Sequence, residues 1–188
     1  MTECYIGMGS NLAAPDRQLA DAIAALGQLA HCRLLAISPV YRSSAVGPGS
    51  QPDYLNAAAR MHTDLPASTL LARLHEIEAR QGRERGVRWA ARTLDLDLLL
   101  FGGQTIDDPP RLEVPHPRML QRNFVVFPLL DLDPDLQLPD GRKLLPAAQA
   151  LGWQGLVRLQ KADLPEAASG STGPVESRHG QHLTRDTH

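Results

Sequence analysis

Asp95 and Asp97 stand one residue apart in the run D-L-D-L-L-L-F, directly after a segment that carries Arg83, Arg85, Arg88 and Arg92. The run reads as a strand, and side chains two apart on a strand share a face. Their Cα atoms then lie roughly 6–7 Å apart. Carboxylates that close repel unless cations sit between them, and Mg²⁺ is the usual oxygen-seeking partner. The arginines offer forked donors that match phosphate oxygens. Four arginines in a loop also describe a solvated surface, and D-x-D also describes an exposed edge. Side by side, however, the two groups complement one ligand, a Mg²⁺–nucleotide.

Two further segments hold groups suited to a ligand. In Q-P-D-Y-L-N-A, residues 51–57, Tyr54 and Asn56 fall on one strand face. An aromatic plate beside a carboxamide suits a flat heterocycle, one stacking and the other supplying paired donor and acceptor. In V-P-H-P-R-M-L-Q-R-N-F, residues 114–124, His116 and Arg122 could close over phosphates while Phe124 offers a face opposite Tyr54. Each segment alone also reads as ordinary surface and core. Gly7-x-Gly9 follows a strand, but Leu12 breaks the dinucleotide-binding fingerprint, and no G-x-x-x-x-G-K-[ST] occurs. Nucleotide binding must therefore rest on side chains.

The elements that position these groups follow from periodicity. Residues 3–9 read as a strand, and 15–29 as an amphipathic helix with Pro15 in its first turn and Leu19, Ile23, Leu26 and Leu29 at helical spacing. Residues 32–41 predict a second strand, with Pro39 marking an edge or bulge. A turn-rich stretch, 42–53, precedes a third strand over 54–63. A second helix starts at Pro66 and stops near Gly82. The strand 94–101 completes the order β-α-β-β-α-β, the ferredoxin-like α+β arrangement of an antiparallel sheet with two helices on one face. Beyond it, 105–114 predicts a short hairpin. Helical segments are expected at 117–121, at 125–131 with an interruption at Pro128, and at 144–151.

The 188 residues predict one domain over 1–164 and a disordered tail over 165–188, where Ser, Gly, Thr, Pro and charge replace periodicity. His179, His182 and His188 in the tail are expected to be solvated. A formal net charge of -2 argues against a general nucleic-acid binder. Arginine makes up 17 of the 19 basic residues, a bias that suits bidentate anion recognition. Cys4 and Cys32 are too few for a disulfide framework. No signal-like N-terminus or long apolar stretch is present, so a cytoplasmic, membrane-free protein is expected, and with no conspicuous apolar helix left unassigned it is expected to be a monomer.

Taken together, Y-I-G-M-G-S-N-L, Y-R-S-S-A-V-G-P, Q-P-D-Y-L-N-A-A, R-W-A-A-R-T-L-D-L-D-L-L-L-F-G and V-P-H-P-R-M followed by R-N-F resemble the 6-hydroxymethyl-7,8-dihydropterin pyrophosphokinases over about residues 4–140. The resemblance implies transfer of diphosphate from ATP to a pterin hydroxymethyl group in folate biosynthesis. It implies that Asp95 and Asp97 bind two Mg²⁺ ions and that Arg83 and Arg92 act on the transferring group. Arg83, Arg92, His116 and Arg122 would hold the phosphates, with Arg85 and Arg88 on a mobile loop and Trp89 either a lid over the nucleotide or a hinge residue packing on the surface. Glu78, Leu98 and Glu113 would stand near the adenosine. Tyr54 and Phe124 would sandwich the pterin, Asn56 would read its amide edge, and Ser43, Ser44 and Val46 would line its pocket. Pro117 stands where many relatives carry tyrosine, and Ser43-Ser44 replaces a common Thr-Pro. A non-catalytic ligand sensor and a two-metal phosphoesterase are the rival readings.

Overall fold

The computed structural model describes residues 1–12, 14–45, 52–82 and 93–160. Its centre is an antiparallel sheet built around β1 (Thr2–Ser10) and β4 (Tyr54–Thr63), which pair along their whole lengths. β5 (Asp95–Phe101) closes one side of β1. On the far side of β4 the edge is shared: β2 (Cys32–Ile37) pairs with one end of β4 and β3 (Tyr41–Ser43) with the other. The order β5-β1-β4-β2 is the ferredoxin-like one, all antiparallel. The expected single strand over 32–41 is thus two strands, separated by a gap that contains Pro39. Proline supplies no N–H for a ladder, and Ser38 bridges the gap, its N–H donating to the Ala58 carbonyl and its Oγ accepting from the Ala58 N–H.

α1 (Pro15–Gly27) and α2 (Ala67–Arg80) cover one face of the sheet. Leu19, Ala22 and Leu26 of the first, and Leu70, Leu74 and Ile77 of the second, recur every three or four residues and are buried. They meet Cys4, Ile6, Met8, Ala57, Ala59, Met61, Leu96 and Leu98. The opposite face is also covered, which the element order alone did not disclose. α3 (Asn123–Leu132) and α4 (Leu145–Leu151) pack Val126, Leu129 and Ala148 against Tyr5, Ala58, Leu99 and Leu100. α3 begins two residues earlier than expected and runs through Pro128 without ending there. Its buried Val126, Pro128 and Leu129 seat that stretch in the core, where packing outweighs the missing backbone bond.

The remaining elements are short. β6 (Ile106–Asp108) and β7 (Leu112–Val114) form the expected hairpin, and Met119–Gln121 is a single 3-10 turn. β8 (Leu156–Arg158) adds to the outer edge of β3. Tyr41, buried in β3, donates its hydroxyl to Asp131 of α3, and Asp131 also pairs with Arg158 of β8 at 3.1 Å. One carboxylate therefore ties together a sheet edge, a helix and the last strand. No helix among the described residues is long and apolar enough to cross a membrane.

Candidate active site

The cleft floor is made by what the sequence omits. Register sets Gly9 between Asn56 and Asp95, and Gly7 between Ala58 and Asp97. Directly opposed residues share a face, so the middle strand contributes no side chain between the carboxylates of β5 and the ligand-facing groups of β4. A Cβ at Gly9 would stand 3.3 Å from Asn56 Oδ1, and one at Gly7 would stand 3.2 Å from a Leu99 methyl. The result is a cleft of about 750 Å³, whose walls include Asp95, Asp97, His116, Arg122, Ser43, Ser44, Tyr54, Asn56 and Phe124.

At the acidic end, Asp95 and Asp97 are half-buried while Leu94, Leu96 and Leu98 between and beside them are buried. This alternation fixes both carboxylates on the cleft face. β5 is held on its outer side by Glu78 of α2, whose Oε1 accepts the Leu96 N–H at 2.8 Å. Ser10 Oγ donates to the Thr93 carbonyl, fixing the chain just before the strand begins. Asn11 Nδ2 donates to the Pro52 carbonyl at 3.3 Å, so the end of β1 also holds the approach to β4.

His116 follows β7, and its backbone N–H donates to the Leu99 carbonyl at 2.9 Å. Its Nδ1 accepts the Arg118 N–H at 3.2 Å. Burial lowers the His116 pKa below its ordinary value; Asp97 opposes that shift, while Arg122 and Arg118 add to it. The ring is therefore neutral at pH 7, and with Nδ1 accepting, Nε2 carries the proton and is the donor available to a ligand. The Arg122 guanidinium stands over the Phe124 ring, 5.7 Å from its centroid.

At the other end, Asn56 is buried and donates through Nδ2 to Ser43 Oγ at 2.9 Å. That bond orients the carboxamide, leaving its oxygen and second proton for other partners. Tyr54, opposite Ser43 in the β3–β4 ladder, and Phe124, near the start of α3, supply aromatic surface to the same cleft. An end with two carboxylates, a histidine and an arginine and an end with aromatic rings and a carboxamide thus lie in one continuous space. A family model described as 7,8-dihydro-6-hydroxymethylpterin-pyrophosphokinase (HPPK) matches residues 5–134. The chain belongs to that family.

Among relatives, the 2-amino-4-hydroxy-6-hydroxymethyldihydropteridine pyrophosphokinase of Pseudomonas aeruginosa is 49% identical over 158 residues, covering 84% of this chain and 97% of the relative. The protein of the same name from Haemophilus influenzae is 41% identical over 159 residues, covering 85% and 99%. A solved HPPK-DHPS chain, crystallised with substrates, superposes with a TM-score of 0.64 at 10% identity. The superposition covers 84% of this chain and 46% of the solved one, and it shows a shared fold.

Within this HPPK-family chain, the structure brings together Asp95, Asp97, His116, Arg122, Tyr54, Asn56, Phe124, Ser43 and Ser44. Glu78 and Leu98, expected near adenosine, are buried at 1% and 3% exposure, and Glu113 is exposed on β7. Glu78 also fastens the strand that bears the aspartates. Val46, Arg83, Arg85, Arg88, Trp89 and Arg92 lie outside the described residues. Sequence reasoning missed Gly7 and Gly9 as cleft floor, and also Arg118, Gln121 and Val125 on its wall. The available signal was a G-x-G inside an apolar strand, where glycine marks close approach.

Proposed function

We propose that this chain transfers diphosphate from ATP to the hydroxymethyl group of 6-hydroxymethyl-7,8-dihydropterin, releasing AMP, in folate biosynthesis. One observation carries the reading: a carboxylate pair, a neutral histidine with an arginine, and an aromatic–carboxamide wall share one cleft. The donor set of Asp95 and Asp97 fits Mg²⁺, because both are hard oxygen donors on one face. Among the described residues no cluster of three or more acidic, histidine or cysteine groups could hold a metal. A site with two carboxylates suits an ion that keeps waters and takes its other ligands from substrate phosphates. Two bound Mg²⁺ ions would neutralise polyphosphate charge and acidify the attacking hydroxyl.

The protein's own contribution is positioning and charge, which dominate phosphoryl transfer. Tyr54 and Phe124 hold the pterin ring from its two sides, and Asn56, oriented by Ser43, reads its amide edge. Ser44 and Val46 complete that pocket. His116 donates Nε2–H to a phosphate oxygen, and Arg122 adds a full charge beside it. Arg83 and Arg92 counter the charge that develops in flight, and Arg85, Arg88 and Trp89 belong to the nucleotide site. The hydroxymethyl oxygen attacks the β-phosphorus in line, forming the new O–P bond. The bond to the α–β bridging oxygen breaks, AMP departs with the electron pair, and the hydroxyl proton is lost to solvent. The protein acts as a cytoplasmic monomer without nucleic-acid or membrane partners.

Incubation of the protein with MgATP and the pterin tests this directly. Stoichiometric AMP and pterin diphosphate are expected; ADP with free phosphate, or binding without AMP, would favour the phosphoesterase or the sensor. Asp95→Asn and Asp97→Asn should each lower kcat/KM by about 10²-fold or more, the scale of losing an electrostatic anchor for the transition state. Turnover retained in both variants removes the carboxylates from the reaction.

A further inference from the structure

The wall that carries Phe124 and the wall that carries Ser43 and Asn56 belong to different elements, and nearer the cleft than the Tyr41–Asp131 bond a second side chain links them. Asn123 is the first residue of α3, placed between Arg122 and Phe124. Its Nδ2 donates to the Gly152 carbonyl at 3.2 Å and to the Gln154 carbonyl at 3.0 Å, using both amide protons on one turn. In the same turn the Gly155 carbonyl accepts the Ser44 N–H at 3.3 Å. Ser44 adjoins Ser43, which orients Asn56. The turn is held a second time by Trp153, whose ring lies 4.1 Å from Phe127 of α3 and 6.1 Å from Tyr41 of β3, centroid to centroid.

We infer that Asn123 is a positioning residue that sets the spacing of the two pterin-binding walls through the turn at residues 152–155. This rests on reading the Tyr54, Asn56 and Phe124 end of the cleft as the pterin pocket. Both bonds run from one donor nitrogen to two carbonyls, so a residue here must offer two protons to two acceptors. Aspartate keeps the shape but presents oxygen to oxygen, and alanine removes both bonds. The relay ends on Ser44 and Asn56 and does not touch Asp95, Asp97 or His116, and Arg122, next to Asn123 in the chain, has its backbone held by separate bonds with Met119, Val125 and Val126. Its loss should therefore loosen the pterin and spare the nucleotide.

Asn123→Ala and Asn123→Asp in the full chain test it, with the second keeping the side-chain volume should the first pack badly. Pterin KM should rise about tenfold in both, with ATP KM and kcat within about twofold of the unmodified protein. Hydrogen exchange at the Ser44 amide should accelerate without any substrate present. Unchanged Ser44 exchange, or an equal rise in both KM values, overturns the inference. If the unmodified protein itself forms no pterin diphosphate, the functional reading fails, while the exchange result still decides whether Asn123 holds the walls together.

Discussion

At the scale of single residues, the cleft is tuned by neighbours more than by residue type. His116 is kept neutral because burial disfavours its charged form, even though Asp97 pulls the other way. Its pKa is depressed in the folded protein, so the ring imposes no penalty above the unfolded value near ~6.5. Stability linked to this ring is lost as the pH falls through the lower folded value. Following the His116 Cε1–H signal by NMR should give a titration midpoint below 6.5, and a midpoint at or above it would contradict the geometry. Gly9 makes the complementary case. Gly9→Ala places a methyl 3.3 Å from Asn56 Oδ1, so the carboxamide must give way. Overpacking of this kind costs about 1–3 kcal/mol, and steady-state kinetics should show pterin KM rising about tenfold with ATP KM unchanged.

At the scale of elements, the sheet edge is the informative place. β3 has three residues, yet Tyr41 fastens it to α3 through Asp131, and Arg158 adds β8 to the same carboxylate. Tyr41→Phe should lower unfolding stability in urea by about 1.5–3 kcal/mol, the range for a hydrogen bond to a charged partner. Urea unfolding that matches the unmodified protein would show that the contact is energetically idle. Much of this layer was legible beforehand: periodicity gave both helices and the strands at 3–9, 54–63 and 94–101 to within a residue or two. The split of 32–41 was foreshadowed only by Pro39, since chain-local signals do not say which strand a gap faces. Nor does alternation predict the shift in β5, where Ile6 opposes Leu98 and Tyr5 opposes Leu100. That extra residue sends both Leu99 and Leu100 to the α3 side. Glu78 was visible as an acidic residue but not as a strand anchor, because its partner Leu96 lies 18 positions away.

At the scale of the whole molecule, the family match over residues 5–134 stops well short of the C-terminus, and the described core is complete by Arg158. Residues 165–188 are rich in Ser, Gly, Thr and charged groups. A chain ending at 164 should keep turnover within about twofold of the full chain, and both are expected to elute at monomer mass by light scattering. A dimer, or loss of activity on truncation, would assign the tail a structural task. The described part of the cleft was legible as a set of residues because Asp95, Asp97, His116, Arg122 and the aromatics announce themselves; its shape was not, because it depends on two glycines that look like flexible filler. Their role has an evolutionary consequence. A trench carved by missing atoms offers no side chain that could be trimmed to make room, and any enlargement there obstructs the natural substrate as much as a competing inhibitor. Resistance to a compound lying on that floor must therefore arise at the rims, where side chains exist to be changed.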